Sequence, residues 1–157
     1  MKKIAYTLIA LALLLMPCFA YAQQNIPEIK AKTTKTMPVR TAAQAFQLGG
    51  DTIEVVVRAL IHPDHYIYAN VDPTEQILTT EVKIAAPKGV KKIGNMEKPQ
   101  RHLFQTGSNT YIYKDDCIFR QLFRGTPKDV FKVTVKYECH NAQEGFQPQQ
   151  VEYRLVP

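Results

Sequence analysis

The sequence predicts an all-β chain, a sandwich of about seven to nine antiparallel strands. Three observations carry that expectation. In VFKVTVKYEC the apolar Phe131, Val133, Val135 and Tyr137 alternate with Lys132, Thr134 and Lys136, the period of two that marks a strand with one buried face. Short runs rich in β-branched and aromatic residues recur between Gly, Pro and Asp turn clusters. No window repeats its apolar residues at the helical period of 3.6.

The chain opens with Lys2 and Lys3, an apolar run from Ile4 to Met16, Pro17, and the small-x-small sequence Ala20-Tyr21-Ala22. This is the layout of a secretory signal peptide over residues 1–22, and the apolar run falls short of the roughly 20 residues that span a bilayer. A lipoprotein alternative would acylate Cys18, but Met16 and Pro17 stand where small residues are wanted. The expectation is therefore an exported protein, in the periplasm or else at the cell surface or secreted. Removing 22 of the 157 residues leaves 135, a length suited to one domain. The formal charge falls from +6 to +4 as Lys2 and Lys3 leave, and the remaining basic residues are interleaved with acids. That excludes the basic stripe with aromatic platforms that a nucleic-acid binder needs.

Residues 23–45 contain two prolines, several Lys and Thr, and no sustained period, so they read as a tail or extended lead-in without chemistry. The domain is placed at 46–157. Its strand-like runs are TIEVVVRALI after Gly49-Gly50-Asp51, HYIYANV after His62-Pro63-Asp64, ILTTEVKIAAP before Lys88-Gly89, NTYIYKDDCIFRQLFRG after Gly107-Ser108, then VFKVTVKYEC and QVEYRLV. The sandwich is closest in spirit to an immunoglobulin-like fold, although a chain without Trp lacks the antibody-type Cys-Trp-Cys pattern.

Four features in order resemble one family: Tyr66-Ile67-Tyr68 after Ile61-His62-Pro63, Ala86-Pro87-Lys88-Gly89-Val90, the runs around Phe119 to Phe123 and Val130 to Tyr137, and a cysteine just after Lys136-Tyr137-Glu138. Together they resemble the periplasmic, immunoglobulin-like N-terminal domain of the thiol:disulfide interchange protein DsbD, from about Gly50 onward. The resemblance implies a module that exchanges electrons with a periplasmic thioredoxin-like or other thiol oxidoreductase through two cysteines separated by a short loop. It implies Cys139 as the first thiol, Tyr66 and Tyr68 as tyrosines lining its pocket, and an aromatic cap in the segment 97–105, with Phe104 the candidate and Leu103 its rival. At the second position, after Gly145-Phe146, the chain has Gln147, which can neither attack nor be oxidised. The family's membrane conduit and thioredoxin-like domain do not follow in this sequence, so any electrons would come from a separate protein.

Once Cys18 has left, Cys117 and Cys139 remain, and three readings of Cys139 stay open. It forms a structural disulfide with Cys117, provided the two runs pair as an antiparallel hairpin in the single register that puts the thiols directly opposite. Alternatively it is a small buried hydrophobe, or a reactive thiol assisted by His140 and Lys136. Tyr66 and Tyr68 share a face and are equally readable as half-buried strand aromatics. His62 and His65 sit three apart, but two histidines in a polar turn do not make a metal site. Neither metal nor cofactor is expected, and no hydrolase or nucleotide motif is visible. The expectation is a binding or accessory module in thiol–disulfide exchange that lacks a complete redox pair. The alternative is a non-redox interaction domain for protein or glycan at the cell envelope.

Overall fold

The computed structural model describes residues 25–106 and 108–157. The signal-peptide segment and Cys18 lie outside the described residues. Among the described residues, eleven strands and no helix make an antiparallel β-sandwich of the immunoglobulin-like kind. One sheet has the order β1 (Val39–Gly49), β2 (Thr52–Ile61), β8 (Asp116–Gly125), β5 (Val90–Glu97). Facing it are β11 (Gln149–Leu155), β9 (Phe131–Tyr137) and β4 (Glu81–Ala85). A smaller sheet of β10 (Cys139–His140), β3 (Tyr66–Asn70), β7 (Tyr111–Tyr113) and β6 (His102–Leu103) extends that facing layer, because β10 continues the line of β9 after one residue, Glu138.

The alternation read from the sequence is the alternation of burial. Ile53, Val55, Val57, Ala59 and Ile61 on β2 and Cys117, Phe119 and Phe123 on β8 point inward, against Phe131, Val133, Val135 and Tyr137 on β9. Phe123 and Phe131 meet at a centroid distance of 5.0 Å, so each sheet contributes one ring to the same contact.

The strand count exceeds the expected seven to nine for physical reasons. The run 109–125 is two strands: Asp115 takes a left-handed φ of 64°, which Asp tolerates, and there the chain leaves the small sheet as β7 and enters the large one as β8. β5 was hidden because Lys91, Lys92, Gly94 and Asn95 mask its alternation, as suits a sheet edge. β6 and β10 have two residues each, too few for any period to register.

The segment read as a tail or lead-in supplies, from Val39 to Ala45, seven of the eleven residues of β1. Upstream, Pro27 is fully buried on the outer face of the large sheet, where Val56 is also buried. Arg58 Nη1 donates to the Pro27 carbonyl at 3.2 Å and Arg120 Nη1 to that of Asn25 at 3.0 Å. Arg58 in turn clamps Asp116 bidentately at 2.8 Å, and Arg120 pairs with Glu54 at 3.2 Å. These guanidinium groups hold the segment against the sheet.

Candidate functional site

Register decides what can meet at the end of the small sheet. Cys139 is opposite Ile67 and His140 opposite Tyr66. Adjacent strand residues face opposite ways, so Cys139 and Ile67 point into the core, and both are buried there. His140, Tyr66 and Tyr68 share the other face. The His140 ring lies nearly parallel to Tyr66 (21°, 6.1 Å) and edge-on to Tyr68 (74°, 5.0 Å). Phe104 covers them, 5.0 Å from the Tyr66 centroid and 6.2 Å from Tyr68. Its loop is held by the Phe104 N–H donating to the Thr110 carbonyl at 2.9 Å. The rival Leu103 is 48% exposed.

A polar anchor completes the group. His140 Nε2 donates to Glu138 Oε1 at 2.7 Å, and the other Glu138 oxygen accepts the Leu78 N–H at 3.2 Å. Both side chains are about four-fifths buried, at 20% and 17% exposure. The carboxylate therefore ties the 71–80 loop to the imidazole and fixes the ring nitrogen that carries the proton. Burial first, and then a hydrogen bond with the Tyr66 hydroxyl, holds the Tyr68 phenol protonated well above the usual phenol range. Tyr68 thus offers a neutral hydroxyl at any physiological pH.

Gly145 backs the imidazole. After a tight turn in which Asn141 Oδ1 accepts the Gln143 and Glu144 N–H groups, the chain returns so that Gly145 bridges His140 and the Phe146 N–H donates to the Cys139 carbonyl at 2.8 Å. A Cβ on Gly145 would lie 2.6 Å from His140 Cε1 and 2.9 Å from Nδ1. Because Glu138, Tyr66 and Tyr68 confine the ring, Gly145→Ala is expected to cost about 1–3 kcal/mol. A Tm measurement checks this, and the Gly145→Ala, His140→Ala double variant should recover most of the loss.

Of the three readings of Cys139, the buried one fits its surroundings, and the pairing of the strands does not provide the hairpin that the disulfide needed. Cys117 and Cys139 are both free and buried. The hairpin that would have bridged them does not form, since the 126–130 turn carries the chain from one layer to the other. β8 pairs with β2 and β5, whereas β9 pairs with β4 and β11. Cys139 also does not share a pocket with Tyr66 and Tyr68, because it lies on the opposite side of the strand. It lines a cavity of about 160 Å³ with Met37, Tyr137 and Phe146. Burial pushes its thiol up to about 11, partly offset by hydrogen bonds to the backbone of Tyr66 and His140. Cys117 is pushed to about 12 by burial and by Asp116 and Asp115. Gln147 is exposed, and its carbonyl accepts from Gln149 Nε2 at 3.1 Å.

Sequence reasoning missed His140, Glu138 and Gly145 as one unit. The signal was present: His140 has the parity that Tyr66 demands across a ladder, and only the register was lacking. His62 and His65 stack edge-on at 5.2 Å and both contact the Pro63 carbonyl. Among the described residues no group of three or more His, Cys, Asp or Glu is placed to hold a metal.

No family model and no curated protein matches this chain. Among solved structures, it is similar to the reduced N-terminal domain of DsbD from Neisseria meningitidis, at 12% identity over 76% of this chain and 84% of that one, with a TM-score of 0.46. It is similar to the N-terminal periplasmic domain of ScsB from Proteus mirabilis, at 14% identity and a TM-score of 0.44, covering 74% of this chain but only 43% of that one. It is also similar to the GAE domain of yeast GGA1, at 9% identity over 85% of this chain and 100% of that one, again with a TM-score of 0.44.

Proposed function

We propose that this chain is an exported binding module that presents the face built by His140, Tyr66, Tyr68 and Phe104 to a thioredoxin-like protein of the periplasm, without exchanging electrons with it. The observation that carries this reading is the register of β10 against β3. It seats an imidazole in the aromatic cradle, where the DsbD resemblance expects a thiol, and turns Cys139 to the core. An imidazole hydrogen-bonded to a carboxylate can recognise a partner by hydrogen bonding and stacking, but it has no sulfur to join a disulfide. Aromatic rings with polar tips are the side chains that commonly anchor protein interfaces.

The test uses a thioredoxin-like protein whose resolving cysteine has been replaced, so that any mixed disulfide is trapped. Calorimetry should show reversible binding that survives reductant and Cys139→Ala and weakens about tenfold or more in His140→Ala. A reductant-sensitive covalent adduct on a non-reducing gel, lost in Cys139→Ala, would overturn the reading. So would binding indifferent to His140→Ala.

A further inference from the structure

The sandwich is sealed on one side and open on the other. Where β1 meets β11, Thr41 Oγ1 and the Tyr153 hydroxyl hydrogen-bond across the seam at 2.6 Å. On the far side the two edge strands are β4 and β5, and they leave a cleft of about 410 Å³ floored by Ile84, Met96 and Phe123 and flanked by Lys83 and Lys92. A narrower cleft of about 120 Å³ continues it, sharing Val82 and Met96 and bordered by Lys98 and Glu81.

Two polar atoms along this seam are buried without a hydrogen-bond partner. Gln121 is 2% exposed and occupies an inward position on β8, where its neighbours of the same parity are apolar. Its pairing partner β5 is interrupted between Ile93 and Glu97, with Gly94 at φ +62°. Gln121 Nε2 fills that gap by donating to the Ile93 carbonyl at 2.7 Å and the Leu122 carbonyl at 3.0 Å. Oε1 is left unpaired beside the wider cleft, and Thr80 Oγ1 is unpaired beside the narrower one. Buried polar atoms normally have partners, so two orphans along one groove mark where a donor is wanted.

We propose that this seam is a second interaction surface, separate from the His140 face, which takes an extended acidic peptide segment of a partner protein as an added strand on the β4 edge. Edge strands accept such segments through backbone hydrogen bonds, while pockets between the sheets take alternate side chains. Apolar side chains of the peptide would rest on Ile84 and Met96, above the buried Phe123, Met96 being the adaptable one. Its backbone or side-chain donors would reach Gln121 Oε1. The charges select an acid: the wider cleft is lined by two lysines and no carboxylate. Lys83 pairs with Glu81 at 2.8 Å, but both are exposed, and such a pair yields readily to a competing carboxylate.

The probe is a fluorescein-labelled nonapeptide of alternating Asp and Val with a central Phe, compared with its Lys-for-Asp counterpart. Anisotropy with the processed chain should show saturable binding of the acidic peptide, about tenfold or more tighter than the basic one, weakening as salt rises. Amide shifts should move at Val82, Ile84 and Met96. Lys83→Glu with Lys92→Glu, both solvent-facing, should cost about tenfold without lowering Tm, and His140→Ala should change nothing. N-methylation of alternate peptide amides should abolish binding if the peptide adds as a strand. The proposal is overturned by equal binding of both peptides, by no saturable binding, or by loss that tracks His140 instead of the lysines. A concentration-dependent dimer in the ultracentrifuge that the double charge reversal dissolves would also overturn it, assigning the seam to a second copy of the chain.

Discussion

Phe131→Ala is expected to lower the free energy of unfolding by about 3–5 kcal/mol, the loss of a large buried ring together with the cavity it leaves. Phe131 and its partner Phe123 are essentially inaccessible, at 0% and 1% exposure, and they meet from opposite layers. No single-sheet rearrangement fills the hole, because the two backbones that would have to approach belong to different hydrogen-bonded ladders. At about 3–5 °C per kcal/mol for a chain of this size, Tm should fall by about 10–20 °C. Val156→Ala, at a site 75% exposed, is the control and should stay within about 0.5 kcal/mol of the parent. Chemical denaturation of the two variants side by side checks the contrast. A loss under about 1 kcal/mol in Phe131→Ala would mean that the inter-sheet contact is not where the core is held.

The second large effect concerns the thiols. With Cys139 pushed up from 9.0 to about 11, its thiolate fraction at neutral pH is about 100-fold below that of a free cysteine, before its 2% exposure is considered. Iodoacetamide should leave the folded chain unmodified at Cys117 and Cys139 and label both in denaturant, with a mass indifferent to prior reduction. A two-hydrogen deficit before reduction would mean that the two are bridged after all, and one rapid adduct in the native state would restore the reactive thiol. The same burial makes stability sensitive to alkali. Each thiol is raised from an ordinary 9.0, to about 11 for Cys139 and about 12 for Cys117, so the unfolded chain releases these protons first as pH rises. Their contribution is complete below about pH 9 and is lost progressively as pH climbs toward 11 and 12. Tyr137, raised to about 12 by burial, adds to the same loss from about pH 10 upward. Urea titrations between pH 8 and 11 should therefore show falling stability, with a shallower slope in Cys139→Ala.

The legible part of the fold is the part governed by local alternation. Phe131, Val133, Val135 and Tyr137 declared an inward face before any partner was known, and the structure buries all four. The aromatic group was legible by halves. Tyr66 and Tyr68 share a face by parity, and the structure sets Phe104 over both. Cys139 was assigned to that group by the family resemblance, which follows the order of residues along the chain and carries no strand register. One residue of register reverses every side chain, and it placed His140 among the tyrosines and Cys139 in the core. The bridge to Cys117 failed for a related reason: a short turn between two strand-like runs need not make a hairpin. The chain crosses between layers at 126–130, and composition alone does not distinguish a crossing turn from a pairing one.

By itself the sequence determined the all-β character, the inward faces of the strands and the glutamine, Gln147, that follows Phe146, because each is a matter of residue type and period along one chain. Only the tertiary structure decided which face of the small sheet carries the imidazole beside Tyr66 and Tyr68, that Glu138 and Gly145 hold it there, and that one seam of the sandwich stays open. Those depend on which strands pair and in what register, and the pairing energies come from residues far apart in the chain, where no local pattern records them.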